Sequence, residues 1–153
     1  MSISKYFILR GVLSAALLIW IAGFSILFIN IKGTAFLYFP ADLLCSTVCH
    51  QNPTKTFTHN SHHLLVCTRC AGIYLGAFGA SVGVLFFSRK KISLNLNLLY
   101  LFSLPMLLDV ILLIFNVYTY SFFIAFLSGL LFGSSVFIYI LAAIENSLLN
   151  RSK

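Results

Sequence analysis

Residues 67–91 read CTRCAGIYLGAFGASVGVLFFSRKK, and the fold turns on how this stretch is interpreted. No charge interrupts the apolar run from Ala71 to Ser88, which Arg69 precedes and Arg89-Lys90-Lys91 follow. At about 1.5 Å per residue such a run crosses most of a roughly 30 Å hydrocarbon core. Three further runs of the same kind lie around it, from Gly11 to Ile31, from Ile92 to Phe115 and from Ser121 to Ile144. The expectation is therefore an all-α integral membrane protein, a single domain of four transmembrane helices at about 11–31, 71–88, 92–115 and 121–144. Its outer loop would be residues 32–70. Composition agrees: 153 residues with 60% hydrophobic and 8% charged side chains leave too little polar surface to cover a soluble globule, and too many apolar residues for a disordered chain.

The first run also admits a cleavable leader, since Gly33-x-Ala35 has small residues at a cleavage spacing. A leader's apolar region is normally about 7 to 15 residues, so this longer run reads as a retained helix. The net charge of +7 does not point to nucleic acid, because the basic residues flank apolar runs and do not form one face. Lys5, Arg10, Arg89, Lys90, Lys91, Arg151 and Lys153 fall on one side of the four-span layout, and Lys32, Lys55 and Arg69 on the other. That asymmetry predicts the inner (cytoplasmic) membrane of a cell, both termini in the cytoplasm and residues 32–69 outside it. The lipid bilayer is the one partner implied.

Gly72, Gly76, Gly79 and Gly83 recur at i, i+4, i+7 and i+11, so they share one helical stripe along which another backbone can approach closely. Gly129 and Gly133, followed by Ser134 and Ser135, offer a matching surface on the fourth span, and the two helices are predicted to touch.

All four cysteines and all four histidines lie between the first two spans. Pro40 to His50 reads as a short helix that Pro40 opens and Asn52-Pro53 stops, with Asp42 in its first turn and Cys45 and Cys49 on one face. After a polar stretch with His59, His62 and His63 comes Cys67-Thr68-Arg69-Cys70 at the mouth of the second span. Two thiolates in Cys-x-x-Cys can clasp one ion, and a Cys/His pair from a second segment completes the four-coordinate shell that zinc favours. Cys49, His50, Cys67 and Cys70 are the primary ligand candidates. Cys45, Gln51, His59, His62 and His63 are secondary, because neighbouring side chains such as Cys49 and His50 rarely face the same ion.

Redox chemistry is the competing reading. A thiol at a helix N-terminus, with Arg69 beside it, is biased toward thiolate, and Cys45 with Cys49 would form a second exchanging pair. In outline that layout is similar to the quinone-linked disulfide-forming enzymes. A third reading is a non-enzymatic accessory subunit with a disulfide-stapled docking loop.

Cys49-His50-Gln51, then Pro53, Lys55, Thr56 and Phe57, then Cys67-x-Arg69-Cys70-x-Gly72-Ile73-Tyr74-x-Gly76 resembles the small prokaryotic membrane proteins grouped as domain of unknown function 2085. Lys55-Thr56 stands where that pattern has Arg-Ser, which keeps a cation and a hydroxyl but loses the planar guanidinium fork. The resemblance implies a shared site around Cys49, His50, Gln51, Cys67, Arg69, Cys70 and Tyr74, and no particular reaction. On a helix begun at Cys67, Tyr74 would lie below the thiols on the same face. Asp109, the one acid within an assigned span, is expected to face the bundle interior near the level of Leu75 or Gly76, beside a bend at Pro105. Arg69, Tyr74 and Asp109 are the candidates for any catalytic part. Glu145, at the end of the fourth run, reads as a solvated end charge.

Overall fold

The computed structural model describes residues 3–26, 35–59, 62–87 and 96–150. They form α1 (Ile3–Ile26), α2 (Ala35–Val48), a 3-10 turn at Pro53–Lys55, a minimal antiparallel hairpin of β1 (Thr58–His59) and β2 (His62–His63), α3 (Thr68–Phe87), α4 (Leu96–Ile114) and α5 (Phe122–Asn150). Four of the five helices are long and apolar enough to cross a membrane, at Tyr6–Ser25, Thr68–Phe87, Leu96–Ile114 and Phe122–Ser147. The protein is an all-helical membrane protein, with α2 and the hairpin between the first and second spans.

The pairing of α3 with α5 rests on its glycines. A Cβ on Gly72 would strike the Phe126 and Leu130 backbone, and one on Gly76 would overlap the Leu130 carbonyl. Gly129 meets the Arg69 carbonyl and Gly133 the Ile73 carbonyl in the same way. Backbones this close exchange dispersion contacts that side chains would prevent. Gly79 and Gly83, although in register with the other two, face open space. Only the half of the stripe nearest the cysteine loop is an interface. Among the described residues Ser14, Ser81, Ser128 and Ser135 are buried, and each donates to a carbonyl of its own helix three or four residues back.

Two expectations are corrected by one ion pair. Glu145 is not a solvated end charge: it is fully buried, with its carboxylate 2.7 Å from an Nη of Arg10 and 2.8 Å from its Nε. The fourth helix therefore continues past Ile144 to Asn150, and the first begins at Ile3 and carries Arg10 within its span. A charge that meets its counter-charge inside the bundle no longer has to mark the edge of the membrane. The pair also brings the start of α1 and the end of α5 to the same level, so both ends of the described chain lie at one end of the bundle.

The other helix bounds differ from expectation by smaller amounts. The second span starts at Thr68, inside the cysteine motif. The third covers Leu96–Ile114, and α2 starts five residues before Pro40, which lies inside it. Residues 27–31 of the first predicted run, and the basic residues Lys32, Arg89, Lys90, Lys91, Arg151 and Lys153, lie outside the described residues.

α4 is closed by Asn116 in the left-handed region, φ 52°. The Asn116 amide donates to the Leu113 carbonyl and the Val117 amide to the Leu112 carbonyl, both at 3.1 Å. This is the Schellman arrangement that satisfies the helix's last carbonyls, with Asn in the place that glycine usually takes. It reverses the chain within a few residues and delivers Tyr118 back over α4.

The glycine contacts predict an asymmetric outcome. Gly76→Leu is expected to reduce the monodisperse yield and melting temperature of detergent-solubilised protein sharply, while Gly79→Leu leaves both near wild type. Equal behaviour of the two variants in fluorescence-detected size exclusion would contradict this packing.

Candidate metal centre

Cys49 ends α2. Its amide still donates to the Cys45 carbonyl at 2.9 Å, so the two cysteines keep the helical i, i+4 relation, and both side chains are buried. The next residue turns away: His50 is exposed and does not join the sulfur group. Of the four primary ligand candidates the fold brings Cys49, Cys67 and Cys70 together and leaves His50 outside the group. Side chains one residue apart diverge, and with Cys49 turned into the protein His50 faces outward.

Gln51, the third residue of the Cys-His-Gln run, has a positive φ of 44°. Its side-chain amide donates to the Asp42 carboxylate at 3.0 Å and to the Leu65 carbonyl at 3.1 Å. Gln51 thereby ties α2 to the irregular segment that leads into Cys67, and Asp42, placed by sequence in a helix first turn, is its acceptor. Asn52 starts the 3-10 turn by accepting from the Thr54 amide at 3.1 Å, and buried Thr56 donates to the Asn52 carbonyl at 2.7 Å. The hairpin pairs Thr58 with His63 and His59 with His62. The side chains of His59, His62 and His63 lie outside the described residues.

The chain re-enters through buried Leu65 and Val66 and arrives at Cys67. Here the Cys67 amide donates to the sulfur of Cys49 at 3.1 Å, and the sulfurs of Cys49, Cys67 and Cys70 all lie within 4.8 Å of one another. Buried Thr68 donates to the Lys55 carbonyl at 3.0 Å and fixes the loop against the start of α3. Arg69 points the other way, to a carboxylate oxygen of Asp109 on α4, and the hydroxyl of Tyr118 donates to that carboxylate's second oxygen. Asp109 is buried as expected, and its partner is the guanidinium that the cysteine motif supplies. Loss of either member alone would strand a charge in the bundle, which typically costs about 3–5 kcal/mol in a folded protein. Tyr74 lies below the thiols, its ring 5.9 Å from those of both Trp20 and Phe24 on α1. Lys55 holds its ammonium 5.5 Å from the ring of Tyr120.

The thiols are electrostatically unequal. The Cys70 thiol hydrogen-bonds to the Cys67 sulfur, and with help from the Cys70 and Arg69 amides and the Cys49 thiol it outweighs burial and draws the Cys67 pKa down to about 5. Burial pushes the Cys45 thiol up, and nearby Asp42 and Cys49 add to the effect. One sulfur is thus ready to act as a soft anionic donor beside two others.

The fold and this site define a four-span helical membrane protein with a cysteine triad where the loop meets the second span. The chain matches the family described as Predicted membrane protein (DUF2085) over residues 49–139, and it belongs to that family. It is also similar to an uncharacterised protein of Methanothermobacter thermautotrophicus, with 55% identity over 31 residues, which is 20% of this chain and 28% of that protein. The chain thus matches about a quarter of that relative's length. No solved structure matches.

The sequence separated these residues into candidates without giving them tasks. Gln51 and Arg69 are tethers. Tyr118 and Thr68 went unremarked because a lone Tyr or Thr beside a span carries no spacing signal. For Asn52-Pro53 the cue was legible as a stop and is also a turn with its own cap.

The lowered Cys67 pKa has a direct readout. In metal-free protein, alkylation of Cys67 by iodoacetamide is expected to hold constant from alkaline pH down to about pH 6 and to fall as pH drops through about 5. A midpoint near the ordinary thiol value of 9.0 would contradict the hydrogen-bonded thiolate.

Proposed function

We propose that this protein holds a thiophilic transition-metal ion, zinc by preference, on Cys49, Cys67 and Cys70 at the outer face of the cytoplasmic membrane. One observation carries this reading: three sulfurs from two separate segments converge within 4.8 Å. A tetrahedral zinc at about 2.3 Å from each would set them about 3.8 Å apart, so a small adjustment closes the shell. Soft thiolates select zinc, monovalent copper or iron–sulfur groups over hard cations. The basic residues at the termini and between the second and third spans support an orientation with both termini in the cytoplasm and the triad outside.

Thiol–disulfide exchange is the second reading. It is favoured by the hydrogen-bonded Cys67–Cys70 pair at the start of α3, with Cys49 close enough to exchange with either. A quinone would be its electron acceptor if the likeness in outline to quinone-linked enzymes extends to chemistry.

Elemental analysis with thiol counting on one preparation separates the two. Near-stoichiometric metal with all four thiols reduced, and its loss in the Cys67→Ser, Cys70→Ser variant, is the expected result. Metal-free protein of full stability, whose thiols cycle with reductant and oxidant, would overturn the metal reading in favour of exchange.

A further inference from the structure

The triad supplies three donors, and the character of a metal site depends on its fourth. A fourth protein ligand makes the site closed and structural, whereas an open position admits water or substrate. Cys45 lies outside the three-sulfur group and is the one further cysteine of the chain. It is 3% exposed and packs in one buried cluster with Cys49, Phe24, Val66 and Ala71, against which Cys67, Cys70, Tyr74 and Trp20 also lie. Its relation to Cys49 is i, i+4 with the helical hydrogen bond intact, the spacing at which two side chains of one helix reach a single ion. Opposite them, Cys67 and Cys70 stand at i, i+3 at the start of α3.

Trp20 provides a second, independent observation. Among the described residues its indole N–H is buried with no hydrogen-bond partner. An unmet buried donor typically costs about 1–3 kcal/mol, so such groups ordinarily have an acceptor in the functional state. Trp20 and Cys45 line the same cavity of about 220 Å³ between α1 and α2, which is otherwise apolar. The Tyr74 hydroxyl is a neutral acceptor beside this indole, whereas a Cys45 sulfur that had lost its proton to a metal would be a charged, stronger one on the same cavity wall.

We propose that Cys45 is the fourth thiolate, so that two helix-borne pairs, Cys45 with Cys49 and Cys67 with Cys70, close a tetrathiolate site and the indole of Trp20 donates to the Cys45 sulfur. The inference rests on the metal reading above and decides its character. The ion is a clasp that fastens α2 over the mouth of the second span, and it is not a Lewis acid open to substrate. Binding exchanges the thiol protons for the metal without any change of oxidation state.

Cobalt(II) loaded into the purified full-length protein in detergent tests this. The wild type should show a thiolate-to-cobalt charge-transfer band that added azide or imidazole leaves unchanged. In Cys45→Ser that band should lose about a quarter of its intensity, and the opened position should make the visible bands respond to azide. Trp20→Phe, which keeps a ring but removes the N–H, should retain four-thiolate intensity while losing about tenfold in affinity against a competing chelator. The inference is overturned if Cys45→Ser and wild type give the same spectrum, or if the change follows a His59→Ala, His62→Ala, His63→Ala variant instead. A wild type that takes up no cobalt overturns the metal reading itself.

Discussion

The close approach of α3 to α5 is the contact on which the rest depends. Glycine meets backbone at Gly72, Gly76, Gly129 and Gly133, and no side chain of any size fits between the two helices there. In lipid no hydrophobic force pulls apolar helices together, so packing at this range supplies much of the association. All four contacts lie along α3 between Arg69 and Gly76, on either side of Cys70. The rigid stretch of the bundle is therefore the platform from which the cysteine motif projects.

Two buried ion pairs complete that frame. Gly129 touches the Arg69 backbone, and Glu145 lies about 24 Å further along α5 by helical rise, most of the thickness of a hydrocarbon core. Arg69 with Asp109 and Tyr118 joins α3 to α4 at the loop end, while Arg10 with Glu145 joins α1 to α5 at the other. A chain with only three acidic residues thus commits two of them to interhelical ties. The third, Asp42, anchors Gln51. Each of the three acids therefore has a side-chain partner in the folded chain.

The number of spans, the membrane class and the α3–α5 contact were legible in the sequence, because apolar run length and glycine spacing report local geometry. The paired charges were not. Arg10 and Glu145 are 135 residues apart, and nothing in either neighbourhood announces the other. At the site, the spacing of Cys67 and Cys70 and the presence of Cys49 in a second segment were enough to predict their convergence. His50 was grouped with them by adjacency in sequence, which is poor evidence of shared direction once the helix ends. Gly79 and Gly83 show the same lesson in reverse: periodicity placed them on the stripe, but α5 leans against only its first half.

The Cys-His-Gln and Cys-x-Arg-Cys runs read, in the folded chain, as alternating donors and tethers. Cys49, Cys67 and Cys70 face inward as sulfurs, and Gln51, Thr68 and Arg69 fasten the segments that carry them. Three sulfurs brought together from two segments are the geometry that the proposed ion requires. X-ray absorption at the zinc edge of the native protein addresses this most directly. The account predicts a shell of sulfur scatterers at about 2.3 Å. A shell dominated by nitrogen or oxygen at about 2.0–2.1 Å, or protein without zinc or another thiophilic metal, would contradict it.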